Sequence, residues 1–168
     1  MRLKNVIILV TLLVTSQNSF SFDEKTLEAK LINALRLNSN TQERIGDSGA
    51  AIQAYVKEGY LNKKPNGRFD YTDYCLLKKP ASFMGHSLVV IEEEYVSRYI
   101  GCCVSPGMDV TVKVSGSTDN LEKFAKKNGC RFDGDADPQS DFKDFRIKVI
   151  LPKAKYVSLS CRERDLEQ

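Results

Sequence analysis

The chain has 168 residues, of which 42% are hydrophobic and 28% are charged, with 25 Lys and Arg against 22 Asp and Glu. Acidic and basic residues are interspersed, so the sequence lacks the clustered cations that bind nucleic acid by releasing counterions. The composition argues against a nucleic-acid partner and predicts a globular domain large enough to bury a core without depending on disulfides.

The first 21 residues are typical of a cleavable secretory signal. Two basic residues precede an apolar stretch at 6–14, which is too short for the roughly 20 residues of a membrane-spanning helix. Ser19 and Ser21 supply small residues at positions −3 and −1 of a cleavage site. We therefore predict that residues 1–21 are removed and that residues 22–168 form a single domain, periplasmic or secreted, with no remaining membrane span.

Two helices are predicted at the start of the mature chain. Leucines recur every four residues within 23–37, which indicates a helix with one apolar stripe. Asn40 and Glu43 have the spacing of a capping box, which predicts a second helix that begins there. Ile45 would lie on the buried side of this helix, and Gly59 would end it.

The remainder of the chain is typical of a sheet. Strand-forming runs follow a Pro-Asn-Gly turn, and a short helix capped by Ser117 or Thr118 and ended by Gly129 lies between them. Predicted strands beyond the aromatic run at 69–75 are 87–91, 95–104, 109–114, 147–151 and 156–161. In 109–114, valines alternate with polar residues, which predicts one core-facing and one polar face. The fold class is therefore α+β, with two N-terminal helices packed on a mainly antiparallel sheet and one short helix inserted between strands.

Five cysteines are candidates for disulfides in an oxidising compartment: Cys75, Cys102, Cys103, Cys130 and Cys161. Adjacent residues on a strand point to opposite faces, so Cys102 and Cys103 are expected to have different partners. We predict a bridge between Cys130 and Cys161, and a second from Cys75 to one of the adjacent pair, although sequence alone does not fix the pairing.

Thiol chemistry is the functional alternative for Cys102 and Cys103. A nucleophilic or redox-active thiol needs a base or a positive environment that lowers its pKa. His86 is the single histidine, so it is the one histidine that could form a Cys–His pair. No Cys-x-x-Cys motif or protease signature surrounds these residues, so structural disulfides are the favoured interpretation.

An acidic segment at 133–144 has the ligand spacing of a calcium loop. Its carboxylates occupy positions 1, 3, 5, 9 and 12 of the twelve-residue EF-hand pattern: Asp133, Asp135, Asp137, Asp141 and Asp144. Pro138 stands where the pattern needs glycine, and the last ligand is shorter than the usual glutamate. A solvated acidic loop is the ordinary alternative.

A second acidic cluster, Glu92 to Glu94, follows an apolar strand. On a strand, Glu92 and Glu94 point to the same side, where two close carboxylates could raise one pKa and serve acid–base chemistry. A solvent-facing strand end is the more common outcome for such a cluster. Seven tyrosines could also provide an aromatic recognition surface on the sheet.

The central segment Gly-His-Ser-Leu-Val-Val-Ile-Glu-Glu-Glu-Tyr at 85–95, followed by Tyr-Ile-Gly-Cys-Cys-Val-Ser-Pro-Gly at 99–107, resembles a small group of exported bacterial proteins without an assigned function. The resemblance covers about residues 70–130. It implies a bacterial envelope or secreted setting, and it implies no role for any residue.

The leading functional hypothesis is a non-enzymatic exported domain that binds an unknown protein or an envelope component. Two alternatives stay open. One is a thiol-dependent enzyme or redox protein that uses Cys102 or Cys103 with His86, and the other is an envelope protein stabilised by calcium in the acidic segment.

Overall fold

The computed structural model describes residues 22–94 and 104–167. Its four α-helices are α1 (Phe22–Leu35), α2 (Ser48–Lys57), α3 (Asp119–Lys127) and α4 (Pro138–Asp144). Its seven strands are β1 (Gly67–Phe69), β2 (Thr72–Leu76), β3 (Ser82–Phe83), β4 (His86–Glu94), β5 (Gly107–Lys113), β6 (Arg131–Asp133) and β7 (Tyr156–Arg162). A short 3-10 helix, Glu163–Glu167, follows β7. The α+β prediction is confirmed.

All seven strands belong to one antiparallel sheet with the order β1-β2-β4-β5-β7-β6, and β3 pairs with the start of β4. Helices α1, α2 and α3 supply apolar side chains to a core with one face of the sheet, which we call the helical face. The opposite face carries a smaller apolar cluster under α4 and a group of polar side chains, and we call it the polar face. The polar face positions the candidate site.

Helix α1 has the predicted apolar stripe, but the predicted start of α2 is wrong. The helix begins at Ser48 with Asp47 as N-cap, because the Asp47 side chain accepts a hydrogen bond from the backbone N–H of Ala50. Ile45 lies before it and is 53% exposed. The Asn40 and Glu43 spacing therefore did not open a helix.

The segment between α1 and α2 folds back along the end of α1. Leu37 pairs with Arg44 in an isolated β-bridge. The Arg44 guanidinium donates to the carbonyl oxygens of Leu35 and Asn128, at 3.0 and 2.6 Å. These carbonyls lie at the ends of α1 and α3, where helices leave acceptors unpaired, so Arg44 joins two helix termini instead of lying in a helix itself.

The valine alternation in β5 correctly identifies the core-facing side. Val110 and Val112 are 1% exposed and lie in the main core. The polar alternates are buried as well, because Asp109 is 8% and Thr111 is 3% exposed. The second face of β5 is thus a buried polar surface, and the expected half-exposed strand is not observed.

The predicted strand at 147–151 is absent. Backbone groups of this segment form hydrogen bonds with a side chain and not with a neighbouring strand. Gln139 of α4 donates to the carbonyl oxygen of Val149 at 3.0 Å and accepts from the N–H of Leu151 at 2.7 Å. Ile147 packs in the smaller apolar cluster. The acidic segment that was expected to be a loop is correspondingly partly helical, since α4 occupies its second half.

The predicted Cys130–Cys161 disulfide is present and joins the residue before β6 to β7. Cys75 is a free, buried thiol in the main core, and Cys102 and Cys103, its predicted partners, lie outside the described residues. Burial, with a smaller contribution from Asp73 and Glu93, raises the pKa of Cys75 to about 12, which makes the thiol unreactive at neutral pH. In the part of the chain that the structure describes, no helix is long and apolar enough to cross a membrane.

Candidate functional site

A polar cavity of about 460 Å³ lies on the polar face, between the central strands and α4. Ten of its twelve lining residues are polar or charged: Glu92, Asp109, Thr111, Arg131, Asp133, Asp137, Ser140, Asp141, Ser158 and Ser160. Strands β4, β5, β7 and β6 supply its floor, and the start of α4 supplies its rim. The cavity falls within the volume range of small-molecule sites, but its wall is far more hydrophilic than usual.

Two residues of the cavity floor, Asp109 and Glu92, belong to a buried ion network centred on Arg162. The guanidinium binds Asp109 through two nitrogens, with Nε to Oδ1 at 2.9 Å and Nη2 to Oδ2 at 2.5 Å. It also donates to Glu94 at 2.5 Å and to Glu92 at 3.2 Å. Thr72 accepts a further bond at 3.4 Å. Three carboxylates from β4 and β5 thus share one cation, with Glu92 as the longest ionic contact and the glutamate that faces the cavity.

The pKa values of the two glutamates in the network are shifted in opposite directions. Burial, followed by the charge of Asp109, raises the pKa of Glu92 to about 8, and Arg162 opposes this shift only in part. Burial would also raise the pKa of Glu94, but the backbone N–H of Ser105 together with Arg162 and Arg164 holds it below its ordinary value. Glu92 and Glu94 share one side of β4, as the strand period predicts, and both bind Arg162. The expected cause of a raised pKa is wrong, because burial and Asp109, and not Glu94, raise the pKa of Glu92. The solvent-facing strand end that the sequence favoured is not observed, since Glu94 is buried.

Asp109 has a raised pKa although it makes two hydrogen bonds to Arg162. Burial is the largest cause, and it outweighs Arg162 and the hydroxyl of Ser160. The charges of Asp109, Glu92 and Glu94 outweigh the burial of Arg162 and hold its pKa above the ordinary value. At neutral pH the network therefore keeps its cation, while Glu92 retains a proton.

The acidic segment forms the outer wall of the cavity. Asp137 is the N-cap of α4 and accepts from the N–H of Ser140 at 3.1 Å. Asp133 accepts from the N–H of Asp135 at 3.0 Å. Partial burial and three neighbouring aspartates raise the pKa of Asp141. The segment's carboxylates are thus divided between a turn, a helix cap and a helix face.

This arrangement does not reproduce the calcium loop suggested by the spacing. Asp141 and Asp144, the ligands expected at positions 9 and 12, lie on α4. Among residues 22–94 and 104–167, no three His, Cys, Asp or Glu side chains are grouped closely enough to hold a metal ion. The described carboxylates are therefore not arranged as an EF-hand loop, and calcium binding stays an untested prediction.

His86 is buried and has structural partners on both ring nitrogens. Its Nδ1 accepts from the N–H of Ser115 at 3.0 Å, and its Nε2 lies 3.4 Å from Oδ1 of Asn120. It begins β4, roughly 26 Å from Glu94 at the other end of the nine-residue strand. Cys102 and Cys103 lie outside the described residues. The Cys–His hypothesis stays untested. The two hydrogen-bond partners of the His86 ring give this residue a structural role.

The sequence did not identify Arg162, Asp109 or the serines of β7 as site residues. Asp109 and Arg162 are 53 positions apart, so no local pattern connects them. The alternation of Ser158 and Ser160 with apolar residues in β7 did carry a signal, because it marks a polar face beside that of β5. The acidic cluster at 92–94 was the one part of the network that the sequence singled out.

Comparisons with protein-family models, curated proteins and solved structures find no match to this chain. The resemblance of residues 70–130 to exported bacterial proteins therefore stays a prediction.

Proposed function

We propose that the protein is an exported, non-enzymatic binding domain whose polar cavity holds a small hydrophilic ligand that carries amine or guanidinium groups. The observation that carries the proposal is the composition of the cavity wall. Five carboxyl groups, of which Glu92 keeps its proton at neutral pH, and four hydroxyls face a space in which Arg131 is the one cation among the described lining residues. Such a wall offers many hydrogen-bond acceptors and complements a ligand with several charged donors.

The placement of the wall supports recognition of a defined ligand. Thr111, Ser158 and Ser160 lie on adjacent strands whose register fixes their spacing, with Thr111 directly opposite Ser158. Arg162, on the same face of the sheet, holds Asp109 with two hydrogen bonds. Side chains on paired strands stay close to one geometry, so little conformational entropy is lost when a ligand binds.

Export is supported by two features of the chain. Residues 1–21 have the pattern of a secretory signal. The Cys130–Cys161 disulfide suits an oxidising compartment. A domain outside the cytoplasm would meet small organic cations, and these are the proposed ligands.

The test is calorimetric titration with spermidine and with arginine at low ionic strength. We expect saturable binding and a higher melting temperature, while glucose and citrate give neither. Asp141→Asn should weaken binding about five-fold, as expected for one partly exposed ion pair. Asp144→Asn is the matched control, because Asp144 lies on the same helix but does not line the cavity.

The binding proposal fails if neither cation binds saturably at about 1 mM, a level already weak for a specific site. It also fails if the two aspartate variants weaken binding equally, because the ligand would then respond to net charge and not to the cavity.

The raised pKa of Glu92 favours a second function for the same cavity, general acid catalysis. A carboxyl group with a pKa of about 8 retains a proton at neutral pH and could donate it to a leaving group. Turnover of chromogenic glycosides or esters that is lost in Glu92→Gln and kept in Glu93→Gln would favour an enzyme over a binding domain. Glu93 is a suitable control because it accepts from Ser48 at the start of α2, away from the cavity.

A further inference from the structure

The segment that connects α4 to β7 is strongly basic. Residues 146–155 contain four exposed cations and no acidic residue: Arg146, Lys148, Lys153 and Lys155. The 168 residues together have a formal net charge of only +3, so this concentration of one sign is local. We call residues 146–155 the basic segment.

An isoleucine projects from the middle of the basic segment. Ile150 is 94% exposed, while Val149 and Leu151 on either side are half-buried against the smaller apolar cluster. The backbone is anchored around it, since Gln139 binds Val149 and Leu151 and the Tyr156 hydroxyl donates to the carbonyl oxygen of Pro152 at 2.5 Å. Ile150 is therefore held outward by a fixed backbone and is not part of a fraying end.

An apolar groove of about 450 Å³ lies beside this isoleucine. Its apolar lining includes residues of β2, of the chain just after β2, of β4 and of the basic segment: Leu76, Leu77, Leu88, Val89, Val149 and Leu151. Lys78 and Lys79 line the same groove and are exposed. The Lys79 ammonium also donates to the carbonyl oxygen of Glu58 at 2.7 Å and lies over the Tyr60 ring. Exposed cations from two separate parts of the chain thus adjoin Ile150 and the groove.

We propose that the basic segment, Ile150 and the adjoining groove form a docking surface for an anionic lipid membrane. Ile150 would enter the boundary between headgroups and acyl chains, and the lysines would contact anionic headgroups. The charge pattern favours lipid over an acidic protein, because a single apolar tip adjoined mainly by lysines lacks the aromatic and arginine-rich character of protein interfaces. This surface is separate from the polar cavity, so neither proposal depends on the other.

The test is flotation of the protein, purified from an exporting host, with vesicles of phosphatidylcholine alone or mixed with phosphatidylglycerol. We expect binding to the anionic vesicles that decreases in high salt. Ile150→Ser should reduce the partition coefficient about ten-fold, from the loss of one inserted apolar side chain. Lys148→Glu with Lys153→Glu should reduce it at least about ten-fold. All variants have the same N-terminal residues, so the apolar stretch at 6–14 cannot cause differences in vesicle binding between them.

Two control variants match these changes elsewhere on the molecule. Ile45→Ser removes another exposed isoleucine, and Lys123→Glu with Lys126→Glu changes the net charge equally on α3. Both should bind anionic vesicles like the unaltered protein. The proposal is overturned if the unaltered protein does not float with anionic vesicles, or if the control variants lose as much binding as the test variants. Binding to immobilised polyglutamate without vesicle binding would replace the membrane with an acidic protein partner.

Discussion

Replacing Arg162 with methionine tests the buried ion network directly. The Arg162 side chain is 6% exposed, and its removal leaves Asp109, Glu94 and Glu92 without their shared cation. Removing one partner from a buried ion pair costs about 3–5 kcal/mol, a large part of the about 5–15 kcal/mol that stabilises a typical domain. We expect urea denaturation followed by circular dichroism to show a loss of this size at pH 7.5.

Arg164→Met is the matched control because Arg164 also binds Glu94, at 3.0 Å, but its side chain is 48% exposed. Its loss should cost less than about 1 kcal/mol, since solvent screens an exposed pair. Without Arg162, the buried carboxylates should hold protons that the unfolded chain releases, so the Arg162→Met deficit should be smaller at pH 5 than at pH 8. Equal losses for the two variants, or a deficit that grows on acidification, would refute the account of this network.

Three further predictions concern other parts of the structure. Glu92 keeps its proton in the folded state up to a pKa of about 8, so its contribution to stability falls as the pH rises from about 5 to 8. Glu92→Gln removes that dependence. Relative to the unaltered protein, the free energy of unfolding of this variant should therefore rise by at least about 1.4 kcal/mol from pH 5.5 to pH 8.5, as measured by denaturation at each pH. No relative gain would mean that Glu92 is ionised when folded. Gln139→Ala should cost about 1–2 kcal/mol and speed amide exchange at Leu151, and unchanged exchange there would show that Gln139 does not anchor the basic segment. Replacing Cys130 and Cys161 together with alanine opens a link across 31 positions and should cost about 3 kcal/mol, whereas a loss below about 1 kcal/mol would contradict a stabilising bridge.

Patterns within a short stretch of sequence predicted the elements that such a stretch defines, as in α1. The leucines at four-residue spacing gave α1, and the same residues, including Leu27 and Leu31, are buried. The start of α2 was missed because two capping signals compete and tertiary contacts decide between them. Gly46 packs so closely on α1 that a Cβ there would lie 2.8 Å from the backbone nitrogen of Ala34. This contact positions the chain next to Asp47, the residue that caps α2.

The site was only partly predictable, because its parts meet through the sheet. The two-residue period of a strand placed Glu92 and Glu94 on one side. Nothing local showed that β5 and β7 would bring Asp109 and Arg162 to the same place, since Arg162 is 68 positions from Glu94. The two-residue period of β5 marked Asp109 and Thr111 as a polar face, but it did not show that Arg162 would pair with Asp109 there.

The most direct test of the proposed function is an NMR titration of the isotopically labelled protein with spermidine. A ligand in the polar cavity should shift the amide signals of Thr111, Ser158 and Ser160 saturably, while the signals of Ala51 and Leu31 on the helical face stay in place. The same titration of Asp141→Asn should need a higher spermidine concentration to reach the same shifts. Shifts that are absent, or that spread over acidic residues on all sides of the molecule without saturating, would contradict a binding site in this cavity.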